Sequence, residues 1–535
     1  MNVDRHAAEV SKTLRYLLFY TSAGWQTKES QARGATMPGF DGSSLFSRTG
    51  LFRFSEALAW TTIFPYAFTM MKSFLPADGN QAARAAVLAS STVSLFTFGE
   101  FLTGVPWAKV SDRIGRKRTL MIGVVCGAAS ALAFGLSKSL GVALVARAFG
   151  GLTNPNVGVV SSCVGELVRD KKDQGPVIGG WLAEPTKTIP SVFPEGSIWE
   201  KFPYLLPNLI VTLFIATSGS LGFFFLEETH PHLQNSRNVG LEMSQWLCRK
   251  TMKLFGYSDT QYAVLSSNGD DNIPLHCTED VEFTAINESS SNDADKDSNM
   301  ETKSPVKSAY SVQVILQILA ASILGFHKVS SDVIIPIFLA HNKEPTSDKE
   351  ESKFLNFTTG FGMSSPKISN VLLSQAVVAI LAQIFIVPKL IACLGPLKVF
   401  RWAVFAFPCL YCLTPFASRF ISPLSTILIL VDLWVKAILV NLGYTASSIL
   451  QIKQVFGPSA NMDRLTNTSP SPLHLATVNG AAASMGCLAR SVGAAVSGSM
   501  FHLGLQHHAI GLPFWALAVI ATVGSILSRF LRDEP

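Results

Sequence analysis

Eleven long apolar runs constrain this chain more than any other feature, at about 51–75, 84–106, 118–137, 141–166, 204–226, 311–340, 367–388, 398–418, 424–451, 475–504 and 512–529. A run of roughly 18 or more such residues is about as long as a helix must be to cross the hydrocarbon of a bilayer. No water is available there to satisfy backbone N–H and C=O groups, so each run must close its hydrogen bonds internally, as a helix. The charge content agrees: 15% of the residues are charged and 48% hydrophobic, where a soluble protein carries about 25% charged residues. Soluble multidomain enzymes and secreted, fibrous or disordered chains are thereby excluded. The net charge of +6 is modest, and the Lys and Arg residues sit beside the apolar runs. They read as orientation signals rather than as a nucleic-acid surface.

A polar stretch containing SSNGDDN and NESSSNDADKDSNMETK has the composition of a disordered linker. It divides the chain into an N-terminal segment at 1–50, a helical half at 51–226, the linker at 227–310 and a second helical half at 311–531. Basic residues place the loops holding Lys109–Arg118, Arg169–Lys172 and Lys389–Arg401 on the cytoplasmic side, and Arg529 and Arg532 place the end of the chain there too. Both termini inside require an even number of crossings, so one is missing. Between Lys172 and Lys201 the stretch DQGPVIGGWLAEP offers about nine apolar residues, or ~13 Å of helix against a core of ~30 Å. It reads as a re-entrant fragment, a strained connection or, preferably, the trace of a deletion. LRYLLFY near the N-terminus is too short for a signal peptide and lacks a small-residue cleavage site, so the first spanning helix serves as the insertion signal.

The eight cysteines are scattered, mostly within apolar runs, and imply no disulfide framework or metal site. Cys409 and Cys412 form a C-x-x-C inside an apolar helix, where packing is favoured over redox chemistry. No P-loop sequence occurs, which removes support for ATP-driven pumping. No cofactor is implied.

Three short motifs narrow the class. AKVSDRIGRKR, Ala108 to Arg118, resembles the cytoplasmic signature loop of the major facilitator superfamily. Asp112, Arg113, Gly115, Arg116 and Lys117 match it, while Ala108 and Val110 replace a glycine and a leucine. Glycine permits a tight turn between packed helices, the carboxylate can face a helix N-terminus, and the basic cluster fixes topology. LVARAFGGL resembles the fourth-helix motif of proton-coupled members and singles out Arg147. An intramembrane arginine costs at least ~2.5 kcal/mol, so it needs a partner or an aqueous cavity. GPVIGG, with Gly175, Pro176, Gly179 and Gly180, looks like the end of the fifth-helix antiporter motif, whose earlier half is absent here. RFSEALAWTTIFPY, FHKVSSDVIIPIFLA and TNTSPSPLHLATVNGAAASMGCLARSVG extend the resemblance to fungal drug:proton antiporters close to the zinc-induced-facilitator-like branch. The chain departs from that pattern in its first ~50 residues and at KQVFGPSANMDRL (453–465), an apparent insertion.

Ionisable residues within spans are functional candidates by default. Glu56, Glu100, Arg147 and Glu166 lie in the first half; the resemblance implies that Glu166 pairs with Arg113 or Arg116 to latch a cytoplasmic gate. His327, Lys328, Asp332, Asp432, Lys436 and Arg490 lie in the second. Lys328/Asp332 and Asp432/Lys436 are i,i+4 pairs that can neutralise each other. If they line a cavity instead, its positive excess favours an anionic or chelated substrate. His327 can serve a proton relay or sit as a core histidine. Asn356 falls on an outer loop as a glycosylation sequon, whereas Asn287 and Asn467 fall on cytoplasmic segments.

These readings together predict an all-α polytopic protein of two six-helix halves, the fifth helix truncated, with about eleven complete spans. The resemblance implies a non-enzymatic transporter in the plasma or vacuolar membrane, working by alternating access. Proton-coupled export of a small organic molecule or metal chelate leads. The expected partners are the bilayer, that small molecule and protons, and the chain is expected to be a monomer. An uncoupled facilitator, or a non-transporting receptor or inactive remnant, are the other readings.

Overall fold

The computed structural model describes residues 58–155, 182–188, 196–225, 312–341, 360–456 and 472–532, with isolated positions beside them. The 1–50 segment, Glu56, Glu166, the GPVIGG glycines, Asn356 and most of the linker and of the 453–465 insertion lie outside the described residues. Residues 239–308 group as a unit apart from the helical body.

The long elements of the body are all helical: α1 (Ala67–Ser73), α2 (Gln81–Ile114), α3 (Arg116–Gly135), α4 (Leu140–Leu152) and α5 (Leu205–Phe225), then α6 (Val312–Ala340), α7 (Ser365–Leu381), α8 (Val387–Leu394), α9 (Pro396–Leu413), α10 (Leu424–Phe456), α11 (Pro472–Gln506) and α12 (Leu512–Arg529). A π-helical turn over Ala382–Ile386 joins α7 to α8, making one continuous apolar span. Among the described residues, eight helices are long and apolar enough to cross a membrane. The chain is an integral, multi-pass membrane protein. Its lipid-facing rows are apolar: Val125, Val145, Leu213, Ile384, Trp402, Leu413, Val519 and Ile526 are all exposed, as expected where the surrounding solvent is hydrocarbon.

The first span is not the continuous helix that 51–75 suggested. The chain is helical at 58–61, turns through 62–66 and resumes as α1. Pro65 lies in the turn; it has no N–H to donate, and in a continuous helix its ring would clash with the carbonyl four residues earlier. Tyr66 and Ala67 both donate instead to Ile63 O.

Gly115 and Gly395 occupy matching places in the two halves. Gly115 (φ 98°, ψ 152°) turns α2 into α3, and Gly395 (φ 78°, ψ 156°) turns α8 into α9. Both conformations are closed to residues with a Cβ, which explains the signature-loop glycine physically. Small residues also set how closely helices approach. A Cβ on Gly151 of α4 would lie 2.0 Å from the Phe96 carbonyl oxygen, and one on Gly99 of α2 would lie 2.7 Å from the Leu152 nitrogen. Backbones therefore touch where α2 crosses α4. In the second half α11 packs on α6, with Gly493 against the Phe326 carbonyl, and reaches across to α2, with Gly498 against Ser90. The seam between α2 and α11 joins the two halves.

Candidate functional site

The crossing at Gly151 fixes Arg147 one turn earlier on α4. Its guanidinium lies over the Phe96 ring at 4.5 Å and near the Phe134 ring at 5.7 Å, and its Nε donates to the Thr92 carbonyl at 3.3 Å. The residue is only 8% exposed, yet its Nη2 has no hydrogen-bond partner. Two aromatic faces and one carbonyl thus hold a buried cation whose donors are not all used. Beside this region Asn208 donates to Tyr66 Oη at 3.0 Å, and the Tyr66 and Tyr204 rings stack at 5.6 Å.

In the second half the two i,i+4 pairs both form ion pairs, in different settings. Lys328 and Asp332 join on α6 with side chains 29% and 19% exposed. Lys436 and Asp432 join on α10 at 2.7 Å with side chains only 5% and 11% exposed. Thr414 bridges the second pair, accepting from Lys436 and donating to Asp432 Oδ2 at 3.1 Å. The ammonium also lies over the Tyr411 ring at 4.9 Å. Asp432 Oδ1 is buried without a partner.

His327 is turned into the helix packing. It is fully buried, sits 4.7 Å from the Phe407 ring centroid, and its Nδ1 lies 3.0 Å from Tyr411 Oη, which also donates to the His327 carbonyl at 3.1 Å. Tyr411 therefore connects His327 to the Asp432–Lys436 pair through α9, a link that no sequence spacing announces.

Arg490 of α11 faces Glu100 of α2 across the halves, its Nη2 3.9 Å from Glu100 Oε2. Asn154 donates to Glu100 Oε1 at 2.8 Å. Glu100 is recognisable in the sequence as an intramembrane carboxylate, but its partners, Asn154, Cys487 and Arg490, are not.

On the signature loop Asp112 and Arg113 are exposed, and Lys117 is buried with its ammonium 5.8 Å from the Phe223 ring of α5. The expected seat of Asp112 on a helix N-terminus is not formed among the described residues. Arg401 of α9 instead binds the end of α12, donating to the carbonyls of Ser528, Arg529 and Leu531 at 3.1, 3.1 and 2.6 Å for Nε, Nη2 and Nη2. It satisfies orphan carbonyls and opposes their negative dipole end. Cys409 and Cys412 are exposed free thiols on α9. Among the described residues no cluster of His, Cys, Asp and Glu could hold a metal ion.

Residues 49–252 match the family described as Major Facilitator Superfamily. The chain is 32% identical over 515 residues to the major facilitator superfamily multidrug transporter mfsB of Aspergillus fumigatus, covering 90% of this chain and 82% of that protein. It is 30% identical over 195 residues to zinc induced facilitator-like 1 of Arabidopsis thaliana, covering 34% of this chain and 40% of that one. Its fold is similar to the crystal structure of a D-xylose-proton symporter, with a TM-score of 0.55 at 11% identity over 92% of this chain and 98% of that one.

Proposed function

The chain belongs to the Major Facilitator Superfamily, and from that premise we propose that it is a proton-coupled exporter of a small organic molecule or metal chelate, working as a monomer in the plasma or vacuolar membrane. Arg147 carries this reading. A guanidinium buried in a membrane helix with an unused donor is an expensive arrangement unless a ligand or a mobile proton completes it during the transport cycle. The likeness to a protein named a multidrug transporter, over 82% of that protein, supports a small organic cargo.

In the mechanism that follows, the two halves rock about a midplane site. Arg147 attracts the anionic part of the cargo or a coupling carboxylate; the Lys328–Asp332 pair, part exposed on α6, offers both a cation and an anion from the second half. The Asp432–Lys436–Thr414 cluster, more deeply buried, keeps α10 and α9 together. The GPVIGG glycines, Glu56 and Glu166 belong to the same proposal as parts of the first half.

The test is transport in vesicles holding the purified protein, with a pH dye inside and carboxyfluorescein or a zinc–citrate chelate as cargo. An imposed proton gradient should drive cargo movement, and Arg147→Ala should reduce it at least ~100-fold, the scale of a lost charge-assisted contact of about 3 kcal/mol. Arg147→Lys should retain part of it. Cargo movement that ignores the gradient and Arg147 would establish the uncoupled facilitator instead.

A further inference from the structure

Helices α9 and α12 pack side by side in the second half, with Arg401 near the start of α9 holding the carbonyls of Ser528, Arg529 and Leu531 at the end of α12. A groove of about 360 Å³ lies along this contact. Each wall is one face of a helix: Phe405, Pro408 and Cys409 of α9 stand at i, i+3 and i+4, and Thr522, Ile526 and Arg529 of α12 at i, i+4 and i+7. Phe405 and Ile526 are 52% and 55% exposed, so the groove is open to the bilayer. Pro408 has no N–H to continue the hydrogen-bond ladder of α9, and short side chains at Cys409 and Thr522 leave the space unfilled.

The groove is apolar along its length and charged at one end. Thr522 turns its hydroxyl into its own helix, donating to the Ala518 carbonyl at 2.8 Å. Arg529, seven residues further on, lies ~10 Å away along the helix axis. It is exposed, and among the described residues no carboxylate pairs with it. The same ends of α9 and α12 carry Lys398, Arg401 and Arg532, against Asp533 and Glu534 at the end of the chain. Basic residues of this kind place these ends on the cytoplasmic side, where the leaflet holds anionic lipids and each surface cation gains about 1 kcal/mol from them. A ligand matched to such a groove has a hydrocarbon chain to lie along it and an anionic head at the bilayer surface.

We propose that the groove between α9 and α12 binds an anionic phospholipid of the cytoplasmic leaflet, one acyl chain lying along Phe405, Cys409 and Ile526 and the phosphate head resting on Arg529. Both helices belong to the second half and Arg401 ties their ends together, so the groove keeps its walls while the halves rock. The lipid is therefore a resident of that half rather than a cargo. The site stands independently of proton coupling.

The native thiols supply the assay. Cys409 lines the groove, whereas Cys412, also exposed on α9, lies outside it. The full chain in dodecyl maltoside micelles is treated with N-ethylmaleimide after adding dioleoyl phosphatidylserine or dioleoyl phosphatidylcholine at equal mole fraction, and modification of each thiol is followed by peptide mass spectrometry. Phosphatidylserine should slow Cys409 relative to Cys412 at least ~10-fold more than phosphatidylcholine does, the ratio that about 1.4 kcal/mol of headgroup selection supports. Arg529→Gln should make the two lipids equivalent, and Arg529→Lys should keep most of the difference. Ile526→Trp, which fills the groove from its open edge, should shield Cys409 alike in both lipids. Equal protection by the two lipids in the native protein overturns the proposal, because the groove then holds ordinary boundary lipid. A headgroup preference that survives Arg529→Gln does the same. If Arg529→Gln does not fold, an undiminished phosphatidylserine effect in Ile526→Trp decides against the site. Protection of Cys409 by carboxyfluorescein in place of phosphatidylserine would make the groove a cargo portal and equally refute the lipid assignment.

Discussion

Replacing Lys436 by Met, a side chain of similar length without charge, strands Asp432 as a buried anion. In the native protein the two charges are 2.7 Å apart and both side chains are nearly inaccessible. At an effective dielectric of about 20 their attraction is ~6 kcal/mol, most of it offset by the desolvation of both ions. The net value of the pair is therefore small, but the penalty for keeping one ion alone is not: about 3–5 kcal/mol. Thr414 Oγ1 can still donate to Asp432 Oδ2, and Oδ1 is unpartnered already, so nothing described nearby takes over the ammonium's role. The double variant Asp432→Asn with Lys436→Met removes both charges and should recover most of the loss, to within about 1–2 kcal/mol of the native protein. Detergent-solubilised protein heated in steps and assayed by fluorescence-detected size exclusion gives the ordering directly. Lys436→Met should fall well below native and the double variant close to it. If the double variant is as unstable as Lys436→Met, the pair is not a mutual neutralisation and the electrostatic argument is wrong. If both variants are stable and transport alone is lost, the pair belongs to the transport chemistry.

Gly151→Val should prevent assembly of α2 on α4, because even its first carbon would meet the Phe96 carbonyl at 2.0 Å; Gly141→Ala on the same helix, where a Cβ meets nothing within 4 Å, should be neutral in the same size-exclusion assay. Gly115→Ala places a Cβ at φ 98° and should cost about 1–3 kcal/mol, read as lower melting temperature, and Gly395→Ala should do likewise at φ 78°. Tyr411→Phe removes a hydroxyl that touches both the ring and the carbonyl of His327, so it should destabilise by about 1–3 kcal/mol; equal stability would show that water replaces the hydroxyl.

What the sequence made legible follows from the range over which each interaction acts. Hydrocarbon imposes a length on every span, and because that constraint is local α3, α5, α6, α11 and α12 lie within a few residues of their apolar runs, whereas α2 runs on to Ile114, eight residues past the run's end. The signature-loop glycine was equally readable, since its backbone conformation is a property of one residue. The ends and interruptions were less so. Pro65 breaks the first span in the middle of an apolar run, where hydropathy is blind to a missing N–H. Helix α11 is long but rich in Gly, Ala and Ser; its moderate apolarity comes from packing between helices, where small side chains serve better than greasy ones.

The same distinction of range explains the site. Lys328–Asp332 and Asp432–Lys436 are four residues apart on single helices, and spacing alone places them side by side. Glu100 and Arg490 are separated by most of the chain, and each in isolation announces only that it must have a partner. An unpaired charge in a membrane helix is thus a question posed locally and answered globally. For Arg490 the answer lies in the other half of the molecule. A contact of that kind differs from an i,i+4 pair in what it can do: the latter moves with its helix and holds in every conformation, whereas one spanning the halves must be made and broken if they rock. The residues whose partners were least legible are therefore those on which the transport cycle can act.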